Sequence, residues 1–368
     1  MNNTERVKAI LHYQPYDKMP VVHFGFWEET LDKWYREGHI TEEECEGWSD
    51  GNKYDRSIGE KLGFDFNWYT CFTPAYGLYP GFEEKIVEHC GDGYKYLNAN
   101  GVIILKKEGV ESIPIEFDHV LKDRKTWEED FKWRLKFDPE RIDFENYEKM
   151  RQLHGSDPIG LHCGSLFGQI RDWMGFEAVC FLYMDDEELY DEIIDTVGEL
   201  EYKIAKAVLD KGLKFDFGHF WEDICFKSGP LVVPSVFEEK VAHHYKRITE
   251  LLNEHGIDIV SLDCDGVIDS LAPIWLENGV NTMFPLEYGT WKGELGPLRE
   301  SCGKGLRAVG GMNKNIFALG TAEIDKEIER LRPMIEMGGF IPCPDHRIPP
   351  EAKWENVQYY CRRMRELF

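Results

Sequence analysis

DIVSLDCDG (258–266), NTMFPLEYG (281–289), RAVGGMNK (307–314) and GFIPCPDH (339–346) are short apolar runs, each closing on acidic, amide, amine or imidazole groups. The stretches between them are charged and carry apolar residues at helical spacing, so strand and helix alternate. Toward the N-terminus the same pattern holds at KFDFGHFWED (214–223), PIGLHCGS (158–165) and MPVVHFGFW (19–27). Strands joined by helical crossovers pair in parallel, and enough such units close on themselves. An eighth strand is expected within FDFNWYTCF (64–72). The expected fold is therefore α/β, a (β/α)8 TIM barrel.

The pattern changes over KIVEHCGDGYKYLNANGVIILKK (85–107), which alternates around GDG and NANG, both hairpin-turn chemistry. An antiparallel β-hairpin insertion is expected at about 85–118. Among the helices, DDEELYDEIIDTVGELEYKIAKAVLDKG (185–212) runs to a glycine stop, and TAEIDKEIERLRPMIEMGG (321–339) takes Thr321 as its expected N-cap and ends on a glycine pair. No linker or short repeat divides the chain, so residues 1–368 are expected to form a single domain.

Composition narrows the function classes. With 42% hydrophobic and 30% charged residues the chain encloses a core. Its 43 Lys and Arg against 68 Asp and Glu leave a net charge of -25, which repels nucleic acid and anionic membranes. No apolar run suits a signal peptide or a membrane span, so a cytoplasmic location is expected. The 10 cysteines show no CxxC pair, and most are expected to be reduced and buried.

Active sites of such barrels gather where strands end at their carboxyl side. The ends here hold His219, Glu222 and Asp223; Asp263 and Asp265; Glu287; Asn313 and Lys314; and Asp345 and His346. Each has a structural alternative. Asp265 before Gly266 suits a turn or helix cap, Glu222 or Asp223 suits a buried ion pair, and His346 suits a cap. The adjacent pairs His162-Cys163 and His89-Cys90 point to opposite strand faces and do not grip one ion. His243-His244 reads as a solvated helical face. Trp27, Trp68, Trp173, Trp221 and Trp291 include enough residues near strand ends to line a flat apolar pocket.

TERVKAILHYQPYDKMPV (4–21) resembles the opening of the uroporphyrinogen-decarboxylase superfamily through Glu5, Arg6, Asp17, Pro20 and Val21. The resemblance continues through GQIRDWMGFEAV (168–179), WEDICFKSGPLVVPSVFEE (221–239), DCDGVIDSLAPIWLENGV (263–280), GGMNKNIFALG (310–320) and GGFIPCPDHRIPPE (338–351). It implies a barrel and either decarboxylation or cobamide-dependent methyl transfer. Porphyrinogen decarboxylases hold their polycarboxylate substrate with arginines after the first strand, where this chain reads HFGFWEETLDKWYREG (23–38). In thiol-activating methyltransferases an H-x-C-G motif binds zinc; the matching place here is Asp263-Cys264-Asp265-Gly266. Oxygen-rich ligands suit a Lewis-acid ion that polarises an ether oxygen.

The resemblance thus implies an O-demethylase type of enzyme, which moves a methyl group from a small O-methylated substrate to the cobalt of a separate corrinoid protein. Asp263, His346 and Glu222 are the expected catalytic groups. Asp263, Asp265, Glu222, His346 and Cys343 are the expected zinc ligands. Trp27, His23, His219, Trp221, Glu287 and Lys314 are expected to contact substrate. A decarboxylase-like lyase on a non-porphyrin substrate, or a non-catalytic tetrapyrrole- or corrinoid-binding barrel, are the alternatives. The sequence itself does not set the oligomeric state; related barrels often dimerise, and the insertion at 85–118 offers a contact surface for a homodimer.

Overall fold

The computed structural model describes residues 1–91, 93–107 and 110–368, with the backbone alone for 110–114. In chain order its strands are β1 (Val22–His23), β2 (Phe66–Asn67), β3 (Cys71–Phe72), β4 (Lys85–Cys90), β5 (Gly93–Leu97), β6 (Val102–Lys107), β7 (Val110–His119), β8 (Gly160–His162), β9 (Phe217–Trp221), β10 (Cys225–Phe226), β11 (Gly229–Pro230), β12 (Val260–Asp263), β13 (Thr282–Leu286), β14 (Arg307–Met312) and β15 (Phe340–Pro344). Seven of them form a central parallel sheet in the order β15-β14-β13-β12-β9-β8-β3. Every residue of β12, β13 and β15 is buried, as expected of parallel strands covered on both faces.

Beside this sheet β1 and β2 pair in parallel. Phe26 bridges Ile348 just beyond β15, and the Ile348 amide donates to the Gly25 carbonyl at 3.1 Å, which ties the β1 end to the β15 edge. The strand expected over 64–72 is two short pieces. The Asn67 side chain accepts from the Tyr69 amide at 2.8 Å, and its carbonyl accepts from Thr70 at 3.2 Å. That Asx turn takes the backbone out of the ladder between β2 and β3.

β4, β5, β6 and β7 form a separate four-stranded antiparallel sheet. Its NANG turn closes with the Gly101 amide on the Asn98 carbonyl at 3.0 Å, and Gly101 sits at φ +76°. Asp92 of the GDG turn lies outside the described residues.

The Glu187–Asp210 helix is capped by Asp186, whose carboxylate accepts from the Leu189 amide at 2.9 Å, and Gly212 follows it at φ +78°. Its buried stripe of Ile193, Ile194, Val197, Ile204 and Val208 recurs at helical spacing. Thr321 is not a cap. It is the first helical residue of Thr321–Glu336, and Gly320, extended at φ −170°, holds the cap position. The pair His243-His244 also departs from expectation: His243 is exposed, but His244 is buried. No cysteine is in a disulfide; five are buried and Cys180 is exposed. Among the described residues no helix is long and apolar enough to cross a membrane.

Candidate functional site

β9, β12, β13, β14 and β15 run parallel, so their polar carboxyl ends emerge on one rim. Adjacent residues past β9 part company there. Glu222 turns into the protein, where it is fully buried. It accepts from the amides of Leu166 (2.8 Å), Phe167 (3.0 Å) and Gly168 (2.6 Å), from the Ser165 hydroxyl (3.1 Å) and from the Tyr245 phenol. This carboxylate satisfies the free amides at the start of the Gly168–Met174 helix. Asp223 takes the other side, in a left-handed backbone conformation at φ +46° that aspartate tolerates better than most residues. Its carboxylate lies 3.7 Å from Arg171 Nη2, and burial raises its pKa.

Asp263 ends β12 with only 7% of its surface exposed. Burial, and then the charges of Asp265 and Asp223, push its carboxyl well above the ordinary range and favour its protonated form. Asp265 has one oxygen, Oδ1, buried without a hydrogen-bond partner. Its other oxygen lies 3.2 Å from His346 Nε2. The His346 Nδ1 accepts from the Arg347 amide at 2.8 Å, which places the ring proton on Nε2, facing Asp265. Trp27 stacks on the His346 ring at 5.3 Å and 15°.

Glu287, past β13, accepts from the Gly266 amide at 3.3 Å and lies 3.7 Å from Lys314 Nζ. Burial and then Asp265 raise its pKa, while Lys314 opposes them. Asp345 is a framework residue: it accepts from the amides of Tyr288 (3.0 Å), Gly289 and Lys314 (3.0 Å), holding three rim loops together.

The structure thus joins Asp263, Asp265 and His346 through Asp265, with Asp223, Trp27, Glu287 and Lys314 around them. It does not bring the whole expected ligand set together. Asp263, Asp265, Glu222, His346 and Cys343 place no three ligand atoms within 4.8 Å of one another. Glu222 is spent on the helix start, and Cys343 is buried within β15, where burial pushes its thiol far up.

The remaining expected contacts divide. Trp221 lies under Arg171 at 5.9 Å. His23 packs inside, stacked on Phe26 at 5.2 Å, and burial lowers its pKa to about 3. His219 is fully buried, with Nδ1 2.7 Å from the Ser261 hydroxyl and Nε2 unpartnered. Trp68, stacked on Phe217 at 4.6 Å, and Trp173 are core.

Several neighbours are given no role by the sequence, and His162 is set aside there with Cys163 as a pair on opposite strand faces. Tyr69 sits edge-on to His219 at 5.0 Å, and His162 lies 5.5 Å from the same ring. Arg347 pairs with Asp50 at 2.6 Å and lies against Phe24 and Trp48. Asp50 is remote from every strand end in sequence, so no local signal marks it. Arg347 stood in view in DHRIPPE (345–351), next to the histidine that drew attention.

No family profile and no curated protein matches the chain. Among solved structures it is similar to a methyltransferase from Methanosarcina mazei, with a TM-score of 0.64 and 15% identity over 100% of this chain and 99% of that one. It is also similar to a B12-independent methionine synthase from Shewanella sp. W3-18-1, with a TM-score of 0.51 and 12% identity over 95% of this chain and 98% of that one. At these identities the likeness establishes the fold.

Proposed function

We propose that the chain is a corrinoid-dependent methyltransferase of the O-demethylase type, working at the carboxyl rim of an eight-stranded barrel that β1 and β2 close. The observation that carries this reading is Asp263, a carboxyl buried at the strand end whose burial and acidic neighbours Asp265 and Asp223 favour the protonated form. A neutral carboxylic acid in an apolar site is a proton donor. The names of two structural neighbours, a methyltransferase and a methionine synthase, support methyl transfer as the reaction class.

The corrinoid, carried by a separate protein, supplies the reduced cobalt that accepts the methyl group. This chain binds the donor, with Trp27 against one side, and excludes water. As the methyl carbon–oxygen bond breaks, the Asp263 proton moves to the departing oxygen, which leaves as a neutral hydroxyl. Asp265 keeps His346 turned toward the site. The residues present do not fit a zinc ion: Asp263, Asp265 and His346 bring no three ligand atoms within 4.8 Å of one another, and His346 Nδ1 already accepts from the Arg347 amide, so the proton on Asp263 carries the reading.

The test is methyl transfer from methoxylated aromatic donors to a reduced corrinoid protein, with metal analysis of the same preparations. Turnover in the wild type that falls at least about 100-fold in Asp263→Asn supports the reading. Undiminished turnover in that variant, or donor binding without any transfer, refutes it. Stoichiometric zinc that is lost in His346→Ala would overturn this proton-only reading.

A further inference from the structure

We propose that Asp195, His243 and His244 form a site for a zinc-class transition-metal dication on the outside of the molecule, clipping the Glu187–Asp210 helix to the Ala242–Glu254 helix. None of the three belongs to the strand-end site. Their ligand atoms all lie within 4.8 Å of one another. Asp195 Oδ1 is 3.0 Å from His244 Nε2 and 3.9 Å from His243 Nε2, and the two imidazole rings are 3.9 Å apart.

A hydrogen bond accounts for the His244–Asp195 contact. It does not account for a second imidazole turned toward the same oxygen at a distance too long for a hydrogen bond. Two imidazolium rings so close repel, whereas two neutral rings present lone pairs. Two imidazole nitrogens and one carboxylate oxygen are a usual zinc donor set. Metal–ligand distances of about 2.0–2.2 Å in a tetrahedron put the ligand atoms roughly 3.4 Å apart. Small side-chain rotations close the observed spacing to that value, and the fourth position is left for water.

The neighbouring helix is shaped for His244. Gly198 lies within the Glu187–Asp210 helix, where glycine is less favourable than alanine. A Cβ at Gly198 would stand 2.3 Å from His244 Nδ1, so the absent side chain is what admits the buried imidazole. The Asp195 and His243 side chains remain 66% and 58% exposed, which gives an ion access from solvent. The nearby cations are occupied: Lys240 is held by Glu187 at 2.8 Å and Asp191 at 2.9 Å, and Arg247 by Glu199.

The test is titration of the full chain, stripped by chelator, with zinc and separately with cobalt(II), in the wild type and in the Asp263→Asn, His243→Ala and Asp195→Asn variants. His243 is exposed, so its replacement leaves the fold intact. The expected result is one equivalent of zinc that persists in Asp263→Asn and weakens at least about tenfold in His243→Ala and Asp195→Asn. Visible cobalt(II) bands and a zinc-dependent rise in thermal midpoint should follow the same pattern. Absence of this equivalent in Asp263→Asn, or unchanged affinity in His243→Ala, would overturn the site.

Discussion

Asp263 and Glu222 are both buried carboxyls at strand ends, yet they have opposite consequences. Asp263 is buried and has other acids beside it, so the native state keeps its proton to higher pH than the unfolded chain does. Stability is therefore undiminished below the unfolded carboxyl pKa of about 3.9 and declines as pH rises from there toward the raised native value. Asp263→Asn should raise the thermal midpoint at neutral pH and flatten its dependence on pH while removing activity; an unchanged pH slope in melting curves would contradict the assignment. Glu222 is surrounded by donors. Glu222→Gln turns an amide nitrogen against them and should cost about 2–4 kcal/mol in urea unfolding. Sequence marked both residues by their place at the rim, but strand alternation alone does not say which neighbour of a WED triplet faces the mouth.

At the scale of elements, the long apolar runs were legible because strands buried on both faces carry little else. The split between β2 and β3 was not, because Asn67 interrupts the ladder through a side-chain turn that the apolar residues around it conceal. The burial of His244 was hidden for a related reason: room for it comes from Gly198 on another helix. Gly198→Ala should therefore destabilise the protein by about 1–2 kcal/mol despite the better helix propensity of alanine, because overpacking outweighs the gain. Chemical denaturation of the single variant is sufficient, and a stabilised protein would mean that the imidazole moves aside freely.

Across the whole molecule the site depends on contacts between distant parts of the chain. Arg347 and Asp50 pair at 2.6 Å although they are 297 residues apart, and the Phe26–Ile348 bridge lies next to them. Pairings of this kind leave no trace in local pattern, which is why the strand-end residues could be read from sequence but not the Arg347–Asp50 pair beside them. Arg347→Met leaves Asp50 mostly buried without its ion-pair partner, with only the Asn67 amide still donating to it, and should cost about 2–3 kcal/mol, somewhat less than a fully buried pair because both side chains keep about a fifth of their surface. A comparable loss in Asp50→Asn, with little added in the double variant, would identify the pair as the cause.

Glu222 and Asp223 share a peptide bond, one gripping the start of the Gly168–Met174 helix and the other facing the mouth. A molecule that settles against Asp223 therefore restrains the same backbone that holds the amides of Leu166, Phe167 and Gly168. Those three amides are a built-in telltale: their deuterium uptake should slow when the mouth fills, reporting occupancy from inside the protein without a label on the ligand.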